Sequence, residues 1–290
     1  MPNSPDVSIC ILGYNGGQVL ERCIASALHG PSSLRTELLV IDNASADGSA
    51  ERVAERFPDI RLVRNPRNLF FTTPYNRGFR ETTGRYFLVL TQDVELGSDT
   101  LPSLVALMDA NHKVGAVAPA SFRPDGQQEP IAKREMGYGE MLLRYTVLGR
   151  LMWPLRNRLV RRNHYDGVAL EGPTPVDVVQ DSCLLVRRSA IPDGALYDER
   201  FLLYYNEDDL CIRLRRAGWD VCYFPGARVA HLGSHSGSPS RALMQRRINL
   251  QDALRFSAKY HGRLKTALLL APLAYAHFFL WRTVRKVRRQ

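Results

Sequence analysis

The N-terminal part of the chain alternates short apolar runs with amphipathic stretches. Val7-Ser8-Ile9-Cys10-Ile11-Leu12 is a nearly continuous apolar run, the pattern of a strand covered on both faces. Gly13 to Gly17 breaks it, and Val19, Leu20, Cys23, Ile24 and Ala27 then recur at helical spacing up to Leu28. The same alternation predicts strands at 37–41, 60–64 and 86–90 and helices at 49–57 and 75–82. Short connections in a β-α-β-α-β-α-β series imply a mostly parallel sheet flanked by helices.

Beyond residue 123 the pattern weakens, and 123–175 reads as irregular. A strand is predicted at 176–186, interrupted by Gln180 and Asp181, and another run, Cys222 to Ala230, ends at His231. Gly233 to Gly237 reads as a flexible polar loop with His235, and 240–260 reads as a helix. Thr266 to Trp281 is sixteen mostly apolar residues, short of the roughly 20 that span a bilayer. Burial as a core helix and a helix lying in the membrane interface are the two readings, and the flanking charge favours the second.

Charge changes the picture mainly at that end. The net charge is +10, and Arg282, Arg285, Lys286, Arg288 and Arg289 supply half of it. A basic tail after an apolar stretch, with Arg156, Arg158, Arg161 and Arg162 as a second cluster, suits an anionic lipid surface. No helix-turn-helix, zinc or RNP-like pattern accompanies the charge, so nucleic acid is not an expected partner. The five cysteines form no C-x-x-C pair and read as buried thiols in a reducing compartment; no signal peptide is expected at the start.

Candidate chemistry sits where apolar strands end, the edge at which open α/β sheets bind ligands. Asn15, Asp42 and Asp93 each follow such a strand. Asp42 opens a turn rich in Asn, Ser, Asp and Gly; it either bonds its own backbone or accepts from a nucleobase or ribose. Asp93, with Glu95 beside it, is either a turn cap or an oxygen ligand for Mg²⁺ or Mn²⁺. Glu207-Asp208-Asp209 stands between apolar residues, where three acids repel unless a cation, a substrate or a helix N-terminus offsets them. His231 is either structural or a metal or phosphate contact.

Taken in order, these segments resemble the inverting glycosyltransferases of family 2, of the GT-A fold, in the rhamnosyltransferase-like branch. The resemblance rests on Val7 to Asn15, Val40 to Ser49, Asn65-Pro66-Arg67-Asn68, the Asp93 loop, Leu184 to Arg188, Tyr197 to Phe201 with the acidic motif, and Val229-Ala230-His231. It implies an α/β fold with a catalytic domain over 1–240 and a helical, membrane-associating extension over 241–290. It further implies donor binding by Asn15, Asp42, Asn68, Asn76, Thr91, Asp93 and Asp181, and a divalent metal (Mg²⁺ or Mn²⁺) held by Asp93 and His231. The catalytic base falls on Glu207, with Asp208 taking its place if a one-residue bulge intervenes. The chain departs from the family pattern at Thr91, which replaces an acid or Asn, at Asp181, which replaces a Gly, at Asn206, which replaces a Glu, and after Asn68, where Phe70, Phe71, Thr73, Pro74 and Tyr75 stand in place of a Gly-rich stretch. The implied partners are a dTDP-, UDP- or GDP-linked sugar, a glycan or lipid-linked acceptor and the cytoplasmic face of a membrane. The competing expectation is a glycan- or lipid-binding scaffold with weak or lost activity.

Overall fold

The computed structural model describes the backbone of residues 4–29, 34–165, 168–233 and 239–287. The 234–237 part of the expected polar loop, with His235, and the side chains of the basic tail lie outside the described residues.

The first half follows the sequence pattern closely. Strands β1 (Val7–Gly13), β2 (Thr36–Asp42), β3 (Arg61–Arg64) and β4 (Tyr86–Thr91) alternate with helices α1 (Gly17–Leu28), α2 (Ser49–Arg56) and α3 (Thr72–Glu81). Then come β5 (Val94–Leu96), α4 (Thr100–Ala110), β6 (Val114–Phe122) and the short β7 (Ala132–Lys133). The 123–175 region departs from expectation in carrying three helices, α5 (Tyr138–Tyr145), α6 (Leu148–Leu151) and α7 (Trp153–Asn163). These helices were hard to see because α7 is mostly exposed and carries arginines where a buried stripe would be apolar.

The strand expected at 176–186 is two. After β8 (Thr174–Pro175) come β9 (Val178–Val179), which pairs with β7, and β10 (Cys183–Arg187), which joins the main sheet. The break at Gln180 to Ser182 frees Asp181 from either ladder. Helix α8 (Asn206–Arg216) begins on the acidic motif, so Glu207, Asp208 and Asp209 form its first turn, where the helix dipole favours anions. Strand β11 (Asp220–His231) and helices α9 (Pro239–Tyr260), α10 (Arg263–Lys265) and α11 (Ala271–Val287) complete the described chain, with a π-helical turn at Thr266–Leu270 before α11.

The main sheet runs β3-β2-β1-β4-β10-β6-β11-β5, with β8 beside β11. Its β3-β2-β1-β4 half is parallel, whereas β10 is antiparallel to both neighbours. Side chains alternate between two cores: Phe87, Val89, Leu184 and Val186 on one face, Tyr86, Leu88, Leu90 and Leu185 on the other. Coverage on both faces explains why these strands read as unbroken apolar runs. A third cluster joins Tyr205 and Ile212 to Met141, Leu250, Phe256, Leu270 and Ala274, so the C-terminal helices pack directly behind the acidic motif.

Candidate active site

Strand register lines up Asp42, Thr91 and Asp181, three of the residues expected to bind a donor. Gly13 pairs with Asp42 and Leu12 with Thr91, while the Thr91 N–H donates to Ser182 O at 2.9 Å. Asp42, Thr91 and the Asp181-Ser182 break therefore share the carboxyl edge of adjacent strands. Asp42 is buried; its Oδ2 accepts from the Ser45 N–H at 3.1 Å, and its Oδ1 has no hydrogen-bond partner. A buried carboxylate oxygen without a donor is costly unless a ligand supplies one.

The loops at this edge are held from behind. Gln92 Oε1 accepts from the Tyr14 N–H at 2.7 Å, and a Cβ on Gly16 would lie 2.5 Å from that same oxygen. Asn15, at φ 51°, accepts from the Ala46 N–H through Oδ1 at 2.8 Å and links the first loop to the Asp42 turn. Asn68 Oδ1 accepts from Asn43 Nδ2 at 2.9 Å and from the Phe70 N–H at 2.8 Å. Asn76 is buried in α3, with Nδ2 donating to Tyr197 O at 2.8 Å and Oδ1 accepting from the Tyr197 N–H at 2.8 Å. Its amide thus serves the fold, braced against the Tyr197 segment.

Asp93 and His231 come together from β5 and β11, whose register pairs His231 with Val94. His231 Nε2 stands 3.5 Å from Asp93 Oδ2, and its Nδ1 bonds Glu129 Oε2 at 2.7 Å. The hydrogen bond to Asp93, with that to Glu129, pushes the imidazole up to about 9 against the opposing effect of burial. Among the described residues no three His, Cys, Asp or Glu side chains form a self-sufficient metal cluster. Mg²⁺ and Mn²⁺ suit such a partial set, because they take one or two carboxylates and draw remaining oxygens from phosphates and water. Two ligands each about 2.1 Å from a cation stand roughly 3 to 4.2 Å apart. The Asp93–His231 separation falls within that span, and Glu129 fixes the ring as an outer carboxylate does for a metal-bound histidine. The residues fit.

The acidic motif opens helix α8. Lys133 Nζ donates to Glu207 Oε1 at 3.0 Å and to Asp208 Oδ2 at 2.7 Å. Asp208 is almost wholly buried, its carboxyl is raised by burial, partly offset by Lys133, and its Oδ1 has no partner. Glu207 keeps 17% of its side chain exposed. Its charge acts on Asp181 and Tyr197 toward the sheet edge, whereas Asp208 acts on Glu140 and Tyr145 behind α8. Asp209 is structural: it is buried between Arg213, Lys259 and the Tyr260 hydroxyl.

Asp181 joins the two halves. Its Oδ2 accepts from Asn206 Nδ2 at 2.6 Å and from the Tyr197 hydroxyl at 2.8 Å. Burial and the charge of Glu207 push its carboxyl up to about 8. The preceding loop is fixed by Asp252, whose Oδ2 accepts from the backbone N–H groups of Leu202, Leu203 and Tyr204 at 3.0–3.1 Å. That loop ends at Tyr205 with φ 64°, a left-handed conformation sustained by surrounding structure.

Glu129, Lys133 and Asp252 escaped the sequence reading. The first two lie in the irregular region with no local pattern; the third is one acid on a helix. None carries a signal that a single sequence exposes.

Residues 8–191 match the family described as Glycosyl transferase family 2. The chain is 33% identical over 241 residues to the N-acetylglucosaminyl-diphospho-decaprenol L-rhamnosyltransferase of Mycobacterium tuberculosis, covering 77% of this chain and 75% of that relative. Among solved structures, the mannosyltransferase PcManGT from Pyrobaculum calidifontis in complex with GDP-Man and Mn²⁺ superposes with a TM-score of 0.58 at 16% identity, over 95% of this chain and 74% of that one. GalNAc-T7 with UDP, GalNAc and Mn²⁺ gives a TM-score of 0.60 at 16% identity, over 82% of this chain but only 45% of the longer neighbour. Both likenesses concern the fold, which is GT-A. By the extent of the family match and the mycobacterial likeness, this chain belongs to glycosyl transferase family 2.

Proposed function

We propose that the protein moves a sugar from a nucleoside-diphosphate donor to a hydroxyl of a lipid-linked glycan, with inversion, in cell-surface polysaccharide synthesis. The observation that carries this reading is the Asp181–Asn206 hydrogen bond, which ties the sheet edge bearing an orphan acceptor (Asp42 Oδ1) to the carboxylate pair (Glu207 and Asp208) at the start of α8, with Asp93 and His231 as a metal-type pair. Asp42 accepts an N–H of the donor base, and Asn15, Asn68 and Asn76 hold the surrounding loops. Thr91 and Asp181 border the sugar.

Glu207 is the base, since it stands between the donor edge and the cavity behind α8. It takes the proton of the acceptor hydroxyl as that oxygen attacks the anomeric carbon. The bond to the nucleoside diphosphate breaks on the opposite side, and the diphosphate departs with the electron pair. Asp93 and His231 would hold a divalent cation whose chemistry is to stabilise charge on the departing phosphate. Solved neighbours carry Mn²⁺ with UDP or GDP-Man, which supports the metal and the donor class.

The lipid-linked acceptor is supported by the named substrate of the mycobacterial relative. No described helix is long and apolar enough to cross a membrane. The Thr266–Leu270 turn and α11 bury Leu270 and Ala274 but expose Leu268 and Leu269 in the turn and Leu273, Phe279 and Leu280 in the helix. That division supports a role for 241–290 as a membrane-associating extension of the 1–240 catalytic unit, lying peripherally at the cytoplasmic face.

The test is transfer of radiolabelled sugar from dTDP-, UDP- and GDP-linked donors to N-acetylglucosaminyl-diphospho-polyprenol. Transfer from one donor class with Mn²⁺ is expected. Tight donor binding with neither transfer nor donor hydrolysis would favour the scaffold reading, to which the lysine clamped on both acids lends some support.

A further inference from the structure

Behind the acidic motif lies a cavity of about 350 Å³ between α5, α8, α9 and α11. Glu207, Asp208 and Lys133 line it together with Arg144, Arg246 and His277. Lys133 is committed to the two acids. Arg144 is not committed in this way. It is half-buried, its Nη1 lies 3.9 Å from the Met136 sulfur, and among the described residues no carboxylate stands within ion-pair distance. Glu140, one turn back on α5, and Asp208 act on it only through their fields.

His277 enters the cavity from α11, and its Nδ1 is buried without a partner. Burial and the positive charges of Arg150, Arg246 and Arg156 hold the imidazole below its usual range, so it is neutral at pH 7. Several arginines around a neutral imidazole and an underpaired half-buried guanidinium form a cationic site whose mutual repulsion an anion would relieve. An apolar groove walled by Leu243, Leu250, Tyr275, Phe278 and Phe279 shares Leu250 and Phe278 with the cavity.

We propose that Arg144, Arg246 and His277 form a subsite for the phosphates of a prenyl-diphosphate-linked acceptor, with its chain leaving along the Leu250–Phe278 groove. This rests on the transferase reading and extends it by naming what aims the acceptor hydroxyl at Glu207. Guanidinium groups pair phosphate oxygens in a forked geometry, and the unpartnered imidazole nitrogen supplies a further polar contact. The donor's diphosphate belongs to the Asp93–His231 side, so each diphosphate has its own cations.

Binding by the full chain tests this, with farnesyl diphosphate, farnesol and inorganic pyrophosphate as probes in metal-free buffer, read by isothermal titration. Farnesyl diphosphate should bind at least about tenfold more tightly than either farnesol or pyrophosphate. Arg144→Met and Arg246→Met should each weaken it by about tenfold, the scale of a lost hydrogen bond to a charged group. Affinity for the nucleoside diphosphate with Mn²⁺ should stay unchanged. Arg246 is exposed, so its variant reads the subsite even if Arg144→Met fails to fold. Equal binding of farnesol overturns the phosphate contact, and equal binding of pyrophosphate overturns the lipid assignment. Parallel loss of nucleotide affinity means that the arginines serve the donor, which also overturns it. Titration needs no sugar transfer: intact farnesyl diphosphate binding without transfer defeats only the transferase reading, and transfer indifferent to Arg246→Met defeats only the subsite.

Discussion

Glu129 and Lys133 lie four positions apart on one segment, and each holds a different part of the site: Glu129 bonds His231 at 2.7 Å and Lys133 bonds Asp208 at 2.7 Å. A fully extended chain advances at most about 3.6 Å per residue, so their Cα atoms are no more than roughly 14 Å apart. The segment thus ties the Asp93–His231 pair to the carboxylate pair at the start of α8.

Glu207→Gln should lower transfer by about 10²–10⁴-fold while donor affinity is unchanged, because a base acts on the acceptor proton and not on donor binding. Asp208→Asn should lower it less. Single-turnover transfer and donor titration on both variants check this, and the reverse ranking would assign the base to Asp208.

Lys133→Met should shift the acidic limb of the transfer–pH profile upward. Removing the cation strips the interaction that holds the Asp208 carboxyl down against burial and Glu207, so a higher pH is needed to ionise Asp208. Stability should fall by about 3–5 kcal/mol, the scale of breaking a buried pair. Urea unfolding and a rate profile measure the two effects, and an unmoved acidic limb would contradict this account.

Chelation should abolish transfer, with Mn²⁺ restoring it. Glu129→Gln should weaken Mn²⁺ affinity by about 10–100-fold, the usual cost of losing an outer carboxylate behind a ligating histidine. Unaltered Mn²⁺ affinity in Asp93→Ala would show that the pair is structural.

Asp181→Asn should raise the melting temperature, and more so at higher pH. The native carboxyl titrates at about 8 against an ordinary 3.8, so across that window the unfolded chain releases a proton that the native chain keeps. Native stability therefore falls as pH rises from about 4 to 8, and the amide removes the fall. The two proteins should melt alike near pH 4 and draw steadily apart toward pH 8, each ~1 kcal/mol of difference shifting Tm by roughly 2–4 °C. A difference that does not grow with pH would place the Asp181 proton elsewhere.

Leu268→Glu with Leu269→Glu should reduce co-sedimentation with anionic vesicles and leave stability within about 0.5 kcal/mol, because both side chains are exposed. Removal of the whole end is a poorer test, since Leu270 and Ala274 are part of the third core cluster.

The parallel half of the sheet was legible in the sequence, because strands covered on both faces must be apolar at every position and helices must show their buried stripe. It also exposed Asp42, Asp93, Glu207, Asp208 and His231, each a polar residue at the end of an apolar run. Only the tertiary structure decided what meets them. Glu129 and Lys133 come from a region with no clear local pattern, and their partners lie 74 to 102 residues away, while Arg144 meets α9 and α11 only across the packed cavity. Asp181 could not be read as a bridge to Asn206 until β9 and β10 were seen to separate into different sheets. Local periodicity reports which face of an element is buried; which charges face one another across a cleft depends on how the elements pack.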